Sequence, residues 1–179
     1  MNEPASIRSR SLAGLRADGV AVITLRTTRP GDLGWIIQRH GELYAAEQGW
    51  DHRFEGVVAG VVADYVKTHD PAREACWIAE HDGAPVGSIM LARETDTVGR
   101  LRLLLVEPSA RGLGVGEALI AACIARAREA GYAEMVLWTQ SILLPARRLY
   151  ARFGFVLEDS WDYDGFADGL VSESWRLKL

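Results

Sequence analysis

The residues best suited to chemistry lie in one short stretch, Arg111-Gly112-Leu113-Gly114-Val115-Gly116. Glycines at every second position let the backbone approach a ligand closely and turn N–H groups toward it. An amphipathic run from Glu117 to Ala130 follows. As a helix it adds four unpaired N–H donors and the positive end of its dipole. Arg111 adds a full charge at the mouth. This chemistry suits a phosphate-bearing ligand. A Walker A loop needs Gly-x-x-x-x-Gly-Lys, and no such lysine is present. The Rossmann spacing Gly-x-Gly-x-x-Gly fails because its third glycine, counted from Gly112, falls on Glu117. Two readings remain: an Arg-x-x-Gly-x-Gly anion loop, or a plain turn between strand and helix.

The elements that must position this loop can be read on either side of it. Before it, Leu101 to Val106 is apolar on both faces, as a central strand would be, and Glu107-Pro108 closes it. After it, the helix from about Leu113 ends at Gly131, and Ala133 to Thr139 is a further strand. Strand, helix, strand at this spacing is a right-handed crossover, so the two strands should be parallel. Upstream, residues 1–18 mix Ser, Arg and Pro without period and read as a flexible tail. Residues 19–179 read as one domain. Val20 to Thr28 is a first strand, and Asp32 is a plausible N-cap for a helix to Gln48, bent or broken by Gly34 and Gly41. Gly49-Trp50-Asp51 is a junction, and Arg53 to about Thr68 is a second helix. Ala75 to Glu80 and Val86 to Ala92 flank a five-residue loop, His81 to Pro85, as a hairpin. Downstream, Leu143 to Arg152 is a short helix, Phe153-Gly154-Phe155 leads into a strand through Glu158, 159–169 is a loop, and Val171 to Leu179 is a last strand.

Composition narrows the class. The chain has 179 residues, 49% hydrophobic and 25% charged, the balance of one globular domain with a sizeable core. A net charge of −4 gives no general attraction to nucleic acid or to an anionic membrane, so a polyanion would need a local site. No run approaches the ~18 apolar residues of a membrane span, and the N-terminus lacks a signal-peptide core. Cys76 and Cys123 are too few for a disulfide framework and sit in apolar runs, as reduced core residues of a cytoplasmic protein would.

Three motifs then carry a family resemblance. They are the loop at 111–116 behind Val106-Glu107-Pro108, the segment Leu149-Tyr150-Ala151-Arg152-Phe153-Gly154-Phe155, and the hairpin at 75–92. Together with the element order β, α, α, β, β, β, α, β, α, β, β they resemble the GNAT acyltransferases. The resemblance implies an α/β fold with a central, mixed, mostly antiparallel twisted sheet of about seven strands, a parallel β4–β5 pair and flanking helices. It also implies acetyl-CoA as cofactor and no metal. Leu143 departs from the pattern, standing where many members carry an Asn that positions the cofactor; Gln140 and Ser141 are polar neighbours. A closer resemblance lies in Arg39-His40-Gly41-Glu42-Leu43-Tyr44, Glu47-Gln48-Gly49-Trp50-Asp51, Cys76-Trp77-Ile78-Ala79-Glu80 and Leu137-Trp138-Thr139. These look like the acetyltransferase half of bacterial MarR–GNAT fusions, and no helix-turn-helix region is expected before residue 20.

Acyl transfer to an amine needs an anchored cofactor, a neutral amine, a stabilised carbonyl oxygen and a proton for the leaving thiolate. The resemblance implies anchoring by Leu104, Leu105, Val106, Arg111, Gly112, Leu113, Gly114, Val115, Gly116 and Tyr150, with a backbone N–H near Leu104 or Leu105 on the carbonyl. It makes Tyr150 the general acid, since a phenol of pKa ~10 is protonated near neutral pH; a purely structural ring is the alternative. Glu107, at the end of the central strand, is the base candidate, or else a solvated residue before Pro108. His40 has the intrinsic pKa for a base but is equally a packing residue. Tyr44, Glu47, Trp50 and Glu55 are candidates to bind the acceptor, with Trp77 a further aromatic, and the two carboxylates favour a cation. The expected function is direct transfer of acetyl to a primary amine, of a small molecule in the first instance, by a protein that could be a homodimer. A protein lysine or N-terminal acetyltransferase and a non-catalytic acyl-CoA sensor are the rivals.

Overall fold

The computed structural model describes residues 22–179. The expected tail and the first two residues of the expected first strand lie outside that range. Seven strands form one sheet: β1 (Ile23–Thr27), β2 (Ala75–His81), β3 (Ala84–Arg93), β4 (Val98–Val106), β5 (Glu134–Gln140), β6 (Val156–Tyr163) and β7 (Leu170–Lys178). Their order across the sheet is β1-β2-β3-β4-β5-β7-β6. Only β4 and β5 run parallel; the other neighbours are antiparallel. The helices are α1 (Asp32–Gln48), α2 (His52–Thr68), α3 (Val115–Glu129) and α4 (Leu144–Arg152).

Both faces of the sheet centre are covered, and this explains the unbroken apolar runs. On β3, Ile89 and Leu91 point toward α3, where they join Leu119, Ile120 and Cys123. Met90 between them points the other way, to Ile36 of α1 and Val58 of α2. Gly87 of β3 lies where strand and helix crowd: an added Cβ would sit 2.9 Å from the Leu105 carbonyl oxygen.

Four expectations need correction. Asp32 does not cap α1; Gly31 does, at φ 100, and Asp32 is the first helical residue. Its carboxylate is drawn instead to the Arg26 guanidinium, at 3.1 Å from Nη2, and to the Arg29 N–H. Helix α1 is continuous through Gly34 and Gly41, because its buried stripe of Ile36, His40 and Leu43 outweighs the weak propensity of the glycines. The β2–β3 loop is shorter than expected. Asp82 and Gly83, both at positive φ, make a two-residue turn whose twist matches the strands. Finally, residues 159–163 belong to β6 and not to a loop. That strand is exposed along almost its whole length at the sheet edge, so hydrogen bonds to β7 define it and no apolar alternation marks it.

Candidate active site

The site is built where β4 and β5 part. They pair only from Val98↔Glu134 to Leu101↔Leu137. Beyond that register, among the described residues, β4 and β5 have no strand partner on this side. A bulge sharpens the parting: Leu103 and Leu104 together oppose Ile89 of β3, and Leu103 adopts φ 53. Helix α4 closes the gap from one side. Two cavities result, sharing Tyr44, Leu104, Leu143 and Ala146 on their walls.

The outer cleft, about 380 Å³, is lined by Leu104, Leu105 and Val106 of β4 and by the glycine loop. Gly112 and Gly114 sit at φ 80 and 79, the left-handed region that β-carbons disfavour. A Cβ on either would meet no atom within 4 Å, so the loop leaves open room there. Gly116 is needed for a different reason: a Cβ would lie 2.9 Å from Cδ2 of Leu149 on α4. No side chain caps the start of α3. Its first N–H groups therefore keep their capacity for an anion, as a pyrophosphate requires. Arg111 reaches across the cleft to Glu47 of α1 at 2.8 Å. Leu113 is exposed and does not line the cleft.

The inner cavity, about 100 Å³, lies between α1, α2, β4 and β5. Tyr44, Trp50, Phe54, Trp138, Phe166 and Tyr150 line it; Tyr150, expected among the cofactor-anchoring residues, does not line the outer cleft. The rings contact one another closely; Trp50 lies 4.6 Å from Phe166 and 4.7 Å from Phe54 between centroids. Tyr150 is buried, and burial, then the neighbouring Tyr44 phenol, raises its pKa above that of a free tyrosine. Its hydroxyl therefore stays protonated throughout the physiological range. Burial, then the charge of Glu47, pushes Tyr44 up to about 12.

His40 is also buried on this wall, stacked against Tyr44. Its Nδ1–H donates to the Ile36 carbonyl oxygen at 2.8 Å, which leaves Nε2 with the lone pair. Burial lowers its pKa to about 4, so the ring is neutral near pH 7.

The expected site residues divide between these walls and elsewhere. Glu107 does follow β4, but both its oxygens are held by Arg39, at 2.7 and 2.9 Å, and it lines neither cavity. Glu47 lines the outer cleft and is paired to Arg111, away from the inner cavity. Glu55 lines neither cavity, since its carboxylate packs against Gly41 of α1. The two carboxylates expected to attract a cation thus do not face the inner cavity. Trp77 packs on the α3 side of the sheet. Most of the lining residues escaped the sequence reading of the acceptor pocket, Arg102, Gln140 and Phe166 among them. Arg102 carried a signal, a charge inside the run Leu101 to Val106.

The sequence pattern of the Acetyltransferase (GNAT) family matches residues 37–155, from the middle of α1 to the start of the last hairpin. The chain belongs to that family. Among curated GNAT relatives, it is 31% identical over 138 residues to mycothiol acetyltransferase of Thermomonospora curvata, covering 74% of this chain and 44% of that one. It is 30% identical over 118 residues to human N-acetyltransferase 8, covering 63% and 52%. The chain thus spans about half the length of the curated relatives it matches. Solved GNAT structures share the fold: a Staphylococcus aureus acetyltransferase of the family superposes with TM-score 0.71 at 18% identity, covering 88% of this chain and 99% of that one. The Salmonella typhimurium protein yncA, solved with its cofactor acetyl-CoA, superposes with TM-score 0.70 at 21% identity, covering 88% and 94%.

Proposed function

We propose that this GNAT protein is an acetyl-CoA-dependent N-acetyltransferase that passes acetyl directly to a primary amine of a small molecule, with both substrates bound together. The observation that carries the reading is the pair of adjoining cavities at the parted β4–β5 edge, with Tyr150 on the wall of the inner one.

The outer cleft fits acetyl-CoA. The open space at Gly112 and Gly114, the uncapped start of α3 and the Arg111 charge match a pyrophosphate. Bound there, acetyl-CoA would supply the activated acetyl group as a thioester. A backbone N–H of the parted β4 edge near Leu104 would meet the carbonyl oxygen as it gains negative charge; removal of one such donor typically costs ~2.7–4 kcal/mol in the transition state. Tyr150 holds a proton for the departing thiolate as the C–S bond breaks, and the proton that the attacking nitrogen loses on forming the C–N bond restores the phenol. His40 presents an acceptor lone pair and, with so low a basicity, orients a neutral amine without storing its proton. We assign Glu107 to positioning α1 against β4 through Arg39. Direct transfer is favoured because Cys76 and Cys123 are buried away from both cavities. Two free, protected thiols also suit a reducing cytoplasm.

The test is thiol release from acetyl-CoA across a panel of amines, with Tyr150→Phe beside the parent protein. Loss of the hydroxyl should lower kcat by about 10²–10⁴ while acetyl-CoA affinity stays within a few-fold. Release that is independent of any amine, or a Phe variant of equal rate, would refute the assignment.

A further inference from the structure

The inner cavity carries a chemical signature beyond its aromatic walls. Three buried polar atoms of residues that line it have no hydrogen-bond partner among the described residues: Nε1 of Trp50, Nε1 of Trp138 and Oε1 of Gln140. Trp50 and Gln140 are only 3% and 2% exposed, so solvent does not satisfy them. Gln140 is held in place by its other end, where Nε2 donates to Ser172 Oγ at 3.0 Å. Buried polar groups are ordinarily paired, and groups left unpaired on a cavity wall mark what a ligand must bring.

The charges point the same way. Two arginines of β4, Arg100 and Arg102, line the cavity, and among the described residues no aspartate or glutamate does. Arg100 is paired to Glu94. Arg102 has no ion pair or hydrogen bond among the described residues. Burial, then the repulsion of Arg100, disfavours its charge, with Glu94 and Asp64 opposing that weakly. A second cation placed here would meet uncompensated positive charge. A carboxylate would meet a planar fork that matches it, together with indole N–H donors. Gln140 Oε1 asks for the reverse, a donor such as an amine N–H. One ligand therefore has to carry an acceptor-rich anion, an N–H donor and an apolar body for the rings.

We propose that the acceptor is an amino acid with an apolar or aromatic side chain, its carboxylate bound by Arg102 and its amine turned toward Gln140, His40 and the junction with the outer cleft. This rests on the acetyltransferase reading above, and the experiment separates the two.

Initial rates with acetyl-CoA are measured for L-leucine, L-methionine and L-phenylalanine, and for decarboxylated counterparts of the first and last, 3-methylbutylamine and phenethylamine. Binding of each to the CoA-loaded protein is followed by calorimetry. At least one amino acid should exceed its matched amine by about 100-fold in kcat/KM, the range of a charged hydrogen-bonded pair. Arg102→Gln should remove that advantage by raising KM for the amino acid about 100-fold, while the matched amine, which has no carboxylate to lose, is not slowed. Trp138→Phe keeps an aromatic ring but deletes the pyrrole ring with its N–H, and should raise KM for the amino acid by several-fold only. Preference for the decarboxylated amines overturns the proposal, as does an Arg102→Gln variant that slows both classes equally. Amino acids that bind in an Arg102-dependent way without acetylation would refute the enzymatic reading and keep the pocket assignment. Failure of every amino acid both to bind and to react, while acetyl-CoA binds and another amine is acetylated, refutes the pocket assignment and keeps the enzyme. Failure of every amine to bind or react overturns both.

Discussion

Replacing Gly114 by alanine isolates what the glycine loop does. Gly114 sits at φ 79 with no atom within 4 Å of an added Cβ, so the methyl meets no clash and the cost is conformational alone. An L residue forced into that region loses about 1–2 kcal/mol. In a domain of this size each kcal/mol lowers the thermal midpoint by about 2–4 °C, so the expected fall is about 2–8 °C. The same strain tests the ligand. If the chain relaxes away from the left-handed turn, the N–H groups at the start of α3 lose their aim, and acetyl-CoA affinity should drop by about 5- to 30-fold. Gly131, at φ 78 behind α3 and equally unobstructed, is the control. Gly131→Ala carries the same thermal cost but lies outside both cavities, so cofactor affinity should not change. Thermal melting and calorimetric titration with acetyl-CoA report both quantities. Wild-type affinity in Gly114→Ala, or equal weakening in Gly131→Ala, would refute the loop as the anion site.

Other outcomes follow from the same geometry. The folded protein keeps His40 neutral down to about pH 4, whereas the unfolded chain protonates it near pH 6.5. Its contribution is thus fully present above pH 6.5 and is lost as pH falls toward 4, on the order of 3 kcal/mol in all. Urea midpoints against pH should show this slope, and His40→Leu should flatten it by about one proton; an unchanged slope would contradict a neutral buried ring. Glu107→Gln breaks the Arg39 fork and should cost about 1.5–3 kcal/mol of stability with kcat held within a few-fold. A 100-fold loss of kcat at unchanged stability would instead make Glu107 the base. Burial pushes the Cys76 thiol up to about 12 and Cys123 higher still. Neither should react with a thiol reagent at pH 8 until denaturant is added, and rapid labelling of the native protein would contradict their burial.

How much of this was legible in the sequence depended on whether a feature is local. The glycine loop was legible because backbone conformation forces residue choice: Gly112 and Gly114 need positive φ, and Gly116 needs room beside Leu149. The β4–α3–β5 crossover was legible because strands covered on both faces leave continuous apolar runs. Strand β6 was not, since an edge strand open on both faces has no periodicity to read. The acceptor wall was mostly illegible for another reason. Trp50, Arg102, Gln140 and Phe166 come from four separate segments, and only the parting of β4 from β5 brings them to one cavity. Glu47 and Glu55 lie close to Trp50 in sequence, yet α1 and α2 turn them to other partners.

The free edge at β6 bears on how copies of this chain can meet. Its outer backbone groups could in principle extend the sheet into a neighbour, and Val156, Leu157 and Trp161 on it are exposed apolar residues. An antiparallel pairing of two such edges centred on Ser160 would set Glu158 of one copy against Asp162 of the other, twice over. Like charges directly opposed destabilise a strand pair, and charged edges are a common guard against runaway sheet growth. Acidic side chains on that edge thus work against pairing of two copies through β6, although Arg176 beside Glu158 offsets part of the repulsion.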